Sequence, residues 1–355
     1  MLERDNLHYS FRQIDGYNKA CNFVMSPREP GKTTAMWLEK IYFKWKKDRK
    51  PWYFWVRNVN EITEQLIDDI ANTIINKFTD DNVVLEYKAG EFEKGIVDVC
   101  IKGIILFRII ALSCKMRKIK QSKLPDPAGI FMDEYIIDPQ TGEKYLKGEA
   151  FKIKEIYTTF RREYKGKGVF KMYFCGNPYS LFNPLFLDWK VDINKLKRDS
   201  FYVGDFFVIH WAILNPLLRA KLLEENPFYK FDEDYNNYAQ EGTAVQDSNI
   251  KIAPFPQGYR LQFIFRYDKI NVGIYRDFTF SVSKDKFYAK QLTKQEGVTK
   301  EIYCFDFAEM CEGSILLSRD ERLKLKIFKD AVRTRSISFE NINLFYIIKE
   351  IYTQL

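Results

Sequence analysis

The sequence predicts an α/β protein, with a largely parallel, helix-covered sheet in the first two hundred residues and a smaller α+β domain after it. Three observations predict this. Dense apolar runs of β-type residues alternate with helix-forming stretches, the pattern of parallel strands joined by crossover helices. Two short polar motifs each follow such a run directly, where an open α/β sheet binds its ligands. Near residue 259 the pattern changes to period two, with aromatics on one face, as in a half-buried antiparallel meander.

In chain order, the apolar run 22–25 reads as a strand. Residues 34–45, with good helix formers and neither Pro nor Gly, read as the helix after it. Residues 52–57 form a strand and 61–78 a helix. Three strands are expected at 83–87, 96–101 and 104–111, the last two as a hairpin around Lys102-Gly103. A strand at 130–132, a helix over 152–164 and strands at 170–175 and 201–211 complete the sheet. A helix over 213–225, with Pro216 in its first turn, leads into a polar, acidic stretch through Asp247. The second domain opens with strands at 259–267, 271–275 and 278–282, then a fourth at 302–307 and helices from about Arg319 and Phe339.

Ser26, Pro27, Arg28, Glu29, Pro30, Gly31, Lys32, Thr33 and Thr34 join the first strand to its helix. They have the length and Gly-Lys-Thr ending of a phosphate loop. Backbone N–H groups there face the phosphates of ATP, Lys32 reaches the β and γ oxygens, and Thr33 ligates Mg2+. Serine replaces the usual first glycine, which predicts a less permissive backbone, and Pro27 and Pro30 each remove an N–H from the cradle. A bare Gly-Lys-Thr loop is the plain alternative; the flanking strand and helix argue against it.

About one hundred residues on, the strand at 130–132 ends in Asp133 and Glu134. A metal-holding aspartate followed by a glutamate that orients and deprotonates water is the second half of an ATP-hydrolysing site. A kinase has no need of the second acid. The pair therefore points to an ATPase of the additional-strand, catalytic-glutamate class, with 1–211 as its P-loop domain, 212–250 as a connector and 251–355 as the second domain. At the end of the strand beside the acids, Asn177 is placed to bond the attacking water or the γ-phosphate. Arg161 and Arg162 close the preceding helix, where arginine either compensates the helix dipole or reaches a neighbouring subunit's nucleotide as a finger.

The order of these motifs resembles that of the DNA-packaging ATPases of small phi29-type phages. The resemblance rests on Tyr17, Asn22-Phe23-Val24, Arg28, Trp55-Val56-Arg57, Phe131 through Tyr135, Phe160-Arg161, Gly176-Asn177 and Asn183-Pro184. It runs nearly end to end and is weaker after residue 200. It implies a homo-oligomeric ring, a pentamer in this family, docked on the capsid portal protein and pumping double-stranded DNA into a preformed shell. A packaging RNA bridges motor and capsid in the best-known members. It also implies a site of action in the host cytoplasm, transiently on the viral procapsid. Residue by residue, Lys32 and Thr33 bind nucleotide and magnesium, Asp133 coordinates, and Glu134 is the base. Arg161 is the trans-acting finger, with Arg162 competing, and Asn177 couples hydrolysis to motion.

Lys115, Arg117, Lys118, Lys120 and Lys123 crowd the segment before the catalytic strand. They read either as a solvated face or as a pore loop gripping DNA phosphates without sequence preference. The formal net charge of +8 favours a polyanionic partner. A second basic run, Lys44, Lys46, Lys47, Arg49 and Lys50, reads as solvent-facing. The second domain stands where large terminases carry an RNase H-like nuclease. Its first strand holds no central acid, Asp268 and Asp277 lie at turns, and Asp306 is a lone candidate. A two-metal nuclease needs several converging carboxylates, so the domain reads as vestigial, without cleavage. Arg319, Arg322, Lys324, Lys326, Lys329, Arg333 and Arg335 offer its helices a basic face.

Two rival readings remain at this level: a large terminase with an active nuclease, and a nucleic-acid-binding adaptor with an inactive nucleotide site. The six cysteines show no CxxC pairing, which fits reduced thiols in a cytoplasmic protein. Two histidines leave little room for a histidine-based metal site or triad. The longest apolar run, 103–114, contains Arg108 and is too short to span a bilayer, and no secretory signal is visible. No membrane partner is expected.

Overall fold

The computed structural model describes all residues except 1–6, 139–142, 182, 232–235, 237–249, 268, 279–285, 294–299 and 335. The chain divides into two compact units, Met1–Val245 and Gln246–Leu355.

The first unit is built on eight strands: β1 (Cys21–Met25), β2 (Trp52–Val56), β3 (Ile96–Ile101), β4 (Ile104–Ala111), β5 (Gly129–Met132), β6 (Met172–Gly176), β7 (Ser200–Val203) and β8 (Phe207–Trp211). Their spatial order is β3-β4-β2-β5-β6-β1-β8-β7. The six inner strands are parallel, and each edge strand is antiparallel to its neighbour. Every residue of β1, β2, β5, β6 and β8 is buried. Strands covered on both faces read as continuous apolar runs, which is why these stood out in the sequence. At the β3–β4 turn Lys102 and Gly103 have φ of 49° and 73°, the left-handed pair that two-residue hairpins favour.

The helix after the loop 26–31 runs through Lys32–Ala35, a π-wound Met36–Tyr42 and Phe43–Asp48. Its buried Trp37 packs edge-on or tilted against Phe54, Phe107 and Phe131, at centroid distances of 5.1, 4.9 and 5.7 Å. Offset and edge-to-face aromatic pairs contribute about 0.5–1.5 kcal/mol each beyond area burial. This helix is thereby fixed over β2, β4 and β5, and the loop at its N-terminus with it.

Two sheet expectations are corrected. Residues 83–87 form no named strand: Val83 and Leu85 are buried as an alternating pattern requires, but only Glu86 pairs with the sheet, exchanging backbone hydrogen bonds of 2.9 Å with Cys100. The run 201–211 is a hairpin of β7 and β8, turning where Gly204 N–H bonds back to Phe207 C=O. Apolar residues on both sides of that turn masked it.

The second unit holds β9 (Tyr259–Tyr267), β10 (Ile270–Asp277), β11 (Phe287–Gln291), β12 (Ile302–Cys304), β13 (Ser314–Leu316) and β14 (Ile337–Phe339), in the order β13-β12-β9-β10-β11-β14. β9, β10 and β11 form an antiparallel meander, and β12 and β13 extend it parallel to β9. The strand that pairs with β10 after the hairpin is β11; of the expected strand at 278–282, Phe278 lies outside any strand and 279–282 fall outside the described residues. Phe339 ends β14, and the helix after it is Ile342–Gln354, capped by the Asn341 side chain on Leu344 N–H. No helix among the described residues is long and apolar enough to cross a membrane.

Candidate nucleotide site

The carboxyl ends of β1, β5 and β6 converge on one cleft. β6 lies between β1 and β5, so the acids come from the second strand along rather than from the strand adjacent to β1. This insertion is what an additional-strand ATPase sheet requires. Across it, the Thr33 hydroxyl donates to Asp133 Oδ2 at 2.8 Å. Two hard oxygen donors side by side suit Mg2+, which prefers few protein oxygens and keeps much of its water.

Within the loop, the left-handed residues are Glu29 (φ 74°) and Gly31 (φ 77°), not Ser26. Ser26 is fully buried, its N–H bonded to Gly176 C=O at 3.2 Å and its hydroxyl to Pro27 C=O at 3.1 Å. The first-slot serine therefore carries no left-handed strain, and the anticipated backbone conflict does not arise. Gly31 does need its glycine: besides its φ, an added Cβ would lie 3.3 Å from the His8 ring. Pro27 and Pro30 are buried, whereas Arg28 and Glu29 are exposed and Thr33 and Thr34 are half-buried.

Lys32 is only 7% exposed. Its ammonium donates to Asn177 Oδ1 at 2.6 Å and Pro27 C=O at 3.3 Å. Burial lowers its pKa, with Asp133 and Glu134 pulling the other way. Asn177 Nδ2 donates to the Tyr179 hydroxyl at 2.9 Å, and Arg28 donates to that same oxygen at 3.0 and 3.2 Å. Lys32, Asn177, Tyr179 and Arg28 thus form one polar chain through the loop. Tyr179 escaped the sequence reading; its position two residues past Asn177 was the available signal.

Burial raises the pKa of Asp133, opposed by Lys32 and by the Thr33 hydroxyl. Burial also raises that of Glu134, and the charge of Asp133 raises it further. Glu134 has φ of 51°, an uncommon conformation for a residue with a side chain. Arg161 and Arg162 lie exposed on the turn Arg161–Glu163 after helix Glu149–Phe160. Neither guanidinium makes a hydrogen bond or ion pair among the described residues, although the Arg161 backbone accepts from Tyr164 N–H at 3.2 Å.

The basic segment before β5 folds as a short helix, Met116–Gln121, with Lys115 at its N-cap, rather than as a loop. Lys120 pairs with Glu155 at 2.6 Å and Lys123 with Glu163 at 2.8 Å, while Lys118 bonds Lys94 C=O. Lys115 and Arg117 are exposed. In the other basic run, Lys46 pairs with Asp81 and Lys50 with Asp126, each at 2.7 Å.

In the second unit Asp306 caps the turn Phe307–Glu309 by accepting from Ala308 N–H at 2.9 Å. Asp268 and Arg335 lie outside the described residues. Lys324 pairs with Glu321 and Arg333 with Asp330; Arg322 and Lys326 are exposed.

A cavity of about 1120 Å³ opens beside the loop, lined among others by His8, Tyr9, Gly31, Thr33, Thr34 and His210. Tyr9 N–H donates to Pro30 C=O at 2.8 Å, so the N-terminal segment closes directly on the loop. Sequence reasoning missed this wall, because nothing local marks residues 8–10 as partners of a strand two hundred residues away. The Tyr9 hydroxyl lies 3.0 Å from His210 Nδ1, and the His210 ring stacks on Phe201 at 3.9 Å.

Burial lowers the His210 pKa from 6.5 to about 4. Below pH 6.5 the unfolded chain takes up a proton that the folded chain resists until pH 4, so acidification through this window removes stability. Between pH 7 and 5 wild type should lose about 2 kcal/mol more than His210→Gln. All six tryptophans precede residue 212, so urea unfolding followed by tryptophan fluorescence reads the first unit. Equal losses in both proteins would refute this assignment.

Neither the comparison with protein-family models nor that with curated proteins gives a match. Solved structures do. The bacteriophage Phi-29 viral genome packaging motor assembly matches with a TM-score of 0.67 at 19% identity, covering 98% of this chain and 99% of that one. The chain shares its fold with genome-packaging motors. The Phi-28 gp11 DNA packaging motor matches likewise, with a TM-score of 0.61 at 15% identity over 99% and 98% of the two chains. The packaging-motor fold therefore accounts for both units, and the resemblance read from the motifs holds at the level of the fold.

Proposed function

We propose that this chain is an ATP-driven motor subunit that moves double-stranded DNA into a preformed phage capsid. The observation that carries this reading is the Thr33–Asp133 contact, with Lys32 and Glu134 in the same cleft, in a fold shared with packaging motors. The resemblance extends the proposal to a ring at the portal, five-membered in that family and bridged by a packaging RNA in its best-known members, working inside the host cell on the procapsid.

Bound MgATP supplies the electrophilic phosphorus and the metal charge that offsets its oxygens. The chain supplies the rest. Thr33 and Asp133 would hold the metal. Lys32 exchanges Asn177 Oδ1 for phosphate oxygens, a charge-assisted contact stronger than the neutral acceptor it leaves. Glu134 accepts the proton of the attacking water, and its raised pKa suits a base. Freed from Lys32, the Asn177 amide can turn to the water or the γ-phosphate. Its bond to Tyr179 then carries the change to Arg28. Lys115 and Arg117, exposed on the helix before β5, are the residues of the basic segment best placed to meet DNA phosphates.

The test is ATP hydrolysis with and without double-stranded DNA. DNA-stimulated turnover, abolished by chelating magnesium, is the expected result; no turnover under any condition would support an inactive adaptor instead. We also propose that the second unit is not a nuclease, since the Asp306 carboxylate is committed to capping its own turn. The same preparation should leave supercoiled plasmid intact with manganese, and cutting lost in Asp306→Ala would support an active terminase.

A further inference from the structure

Arg57 follows β2, which lies parallel and adjacent to β5 with Trp55 level with Met132. Arg57 therefore stands beside Asp133 and Glu134 at the sheet's carboxyl edge. It is 4% exposed, yet no part of the hydrolytic chemistry described above uses it. A buried guanidinium is costly unless its donors are matched, and here they are. Nε and Nη2 donate to Glu149, 1% exposed, at 3.0–3.3 Å. Nη1 donates to Glu134 C=O at 3.4 Å and Nη2 to Tyr135 C=O at 3.1 Å.

The frame around this pair is itself tied down. Glu149 accepts from Leu146 N–H at 2.9 Å. Arg57 N–H donates to Glu61 at 3.1 Å, and Arg57 C=O accepts from Ser113 N–H at 2.9 Å. The backbone held in this way is the one whose Glu134 stands at φ 51°. A left-handed conformation costs a side-chain-bearing residue about 1–2 kcal/mol and persists only where its surroundings over-determine it. Asp133 Oδ1, which accepts Glu134 N–H at 3.0 Å, is the other restraint.

We propose that Arg57, anchored by Glu149, is a positioning residue for Glu134: its fork holds two successive carbonyls and so keeps the base aimed at the attacking water. This inference rests on the reading of Glu134 as that base. It separates aim from binding, because neither Arg57 nor Glu149 belongs to the loop that would take the phosphates.

Arg57→Lys keeps the charge opposite Glu149 but loses the planar fork. It is expected to bind an ATP analogue within about threefold of wild type, with KM little changed. Its kcat should fall about 100-fold, the scale of a misplacement of about 1 Å. A merely structural pair would lower Tm and leave kcat intact well below Tm. Should Arg57→Lys not fold, the double variant Arg57→Met/Glu149→Met removes both charges without orphaning either, and the same kcat loss is expected.

Wild-type kcat in either folded variant overturns the proposal, as does failure of both to fold, which would make the pair structural. The Glu134 reading fails separately. If wild type turns over but Glu134→Gln is equally active, the base assignment falls and this inference with it. If Glu134→Gln is dead and Arg57→Lys is not, only the positioning role falls.

Discussion

Glu134→Gln should lower ATP turnover about 10²–10⁴-fold, the usual contribution of a positioned general base, while ATP binding survives. The substitution removes the proton acceptor and leaves Lys32, Thr33 and Asp133 in place. It also removes a charge that raises its neighbours' energy, since burial first and Asp133 second push the Glu134 pKa up. Binding measured with a fluorescent ATP analogue should therefore be equal or tighter in the variant. The same shift gives wild type a signature: kcat should decline on acidification at a pH above the ordinary carboxylate value of about 4.3. Turnover indifferent to Glu134→Gln would remove the base from the site.

Arg161→Ala should cost about 10³–10⁵ in turnover if the guanidinium acts as a finger, with ATP binding retained. The residue lies exposed on the turn Arg161–Glu163, so its loss leaves no buried group unpaired and the fold should not suffer. Its trans action is tested by mixing. A Glu134→Gln subunit still offers Arg161 to an Arg161→Ala neighbour whose own Glu134 is intact, so mixtures should regain activity that neither variant has alone. No recovery at any ratio means that Arg161 works within its own subunit or not at all. Arg162→Ala, run beside it, should turn over near the wild-type rate if Arg161 is the finger.

Much of the site was legible because its motifs are local. The loop 26–34 needs only nine consecutive residues, and the acids 133 and 134 end a strand that announces itself by continuous burial. Less legible was everything that depends on which strands are neighbours. That β6 separates β1 from β5 follows from sheet order. The polar chain from Lys32 to Arg28 exists because Asn177 and Tyr179 arrive at the same edge. The Arg57–Glu149 pair joins residues 92 positions apart, and no periodicity records such a partnership.

One misreading has a plain local cause. Residues 201–211 are an apolar run in which the turn between β7 and β8 leaves no local mark. Conversely, the basic segment 115–123 looked like one patch, but Glu155 on helix Glu149–Phe160 and Glu163 on the turn after it neutralise two of its members.

By itself the chain determined its strand and helix alternation, the loop 26–34 and its paired acids, because burial period and loop chemistry are written in consecutive residues. Tertiary structure alone decided that Ser26 needs no glycine conformation, that Tyr9 and His210 wall the cavity, and that a buried arginine holds the backbone of Glu134. Each of these is a contact across the sheet, set by which strands the crossovers bring together and how the side chains between them are satisfied.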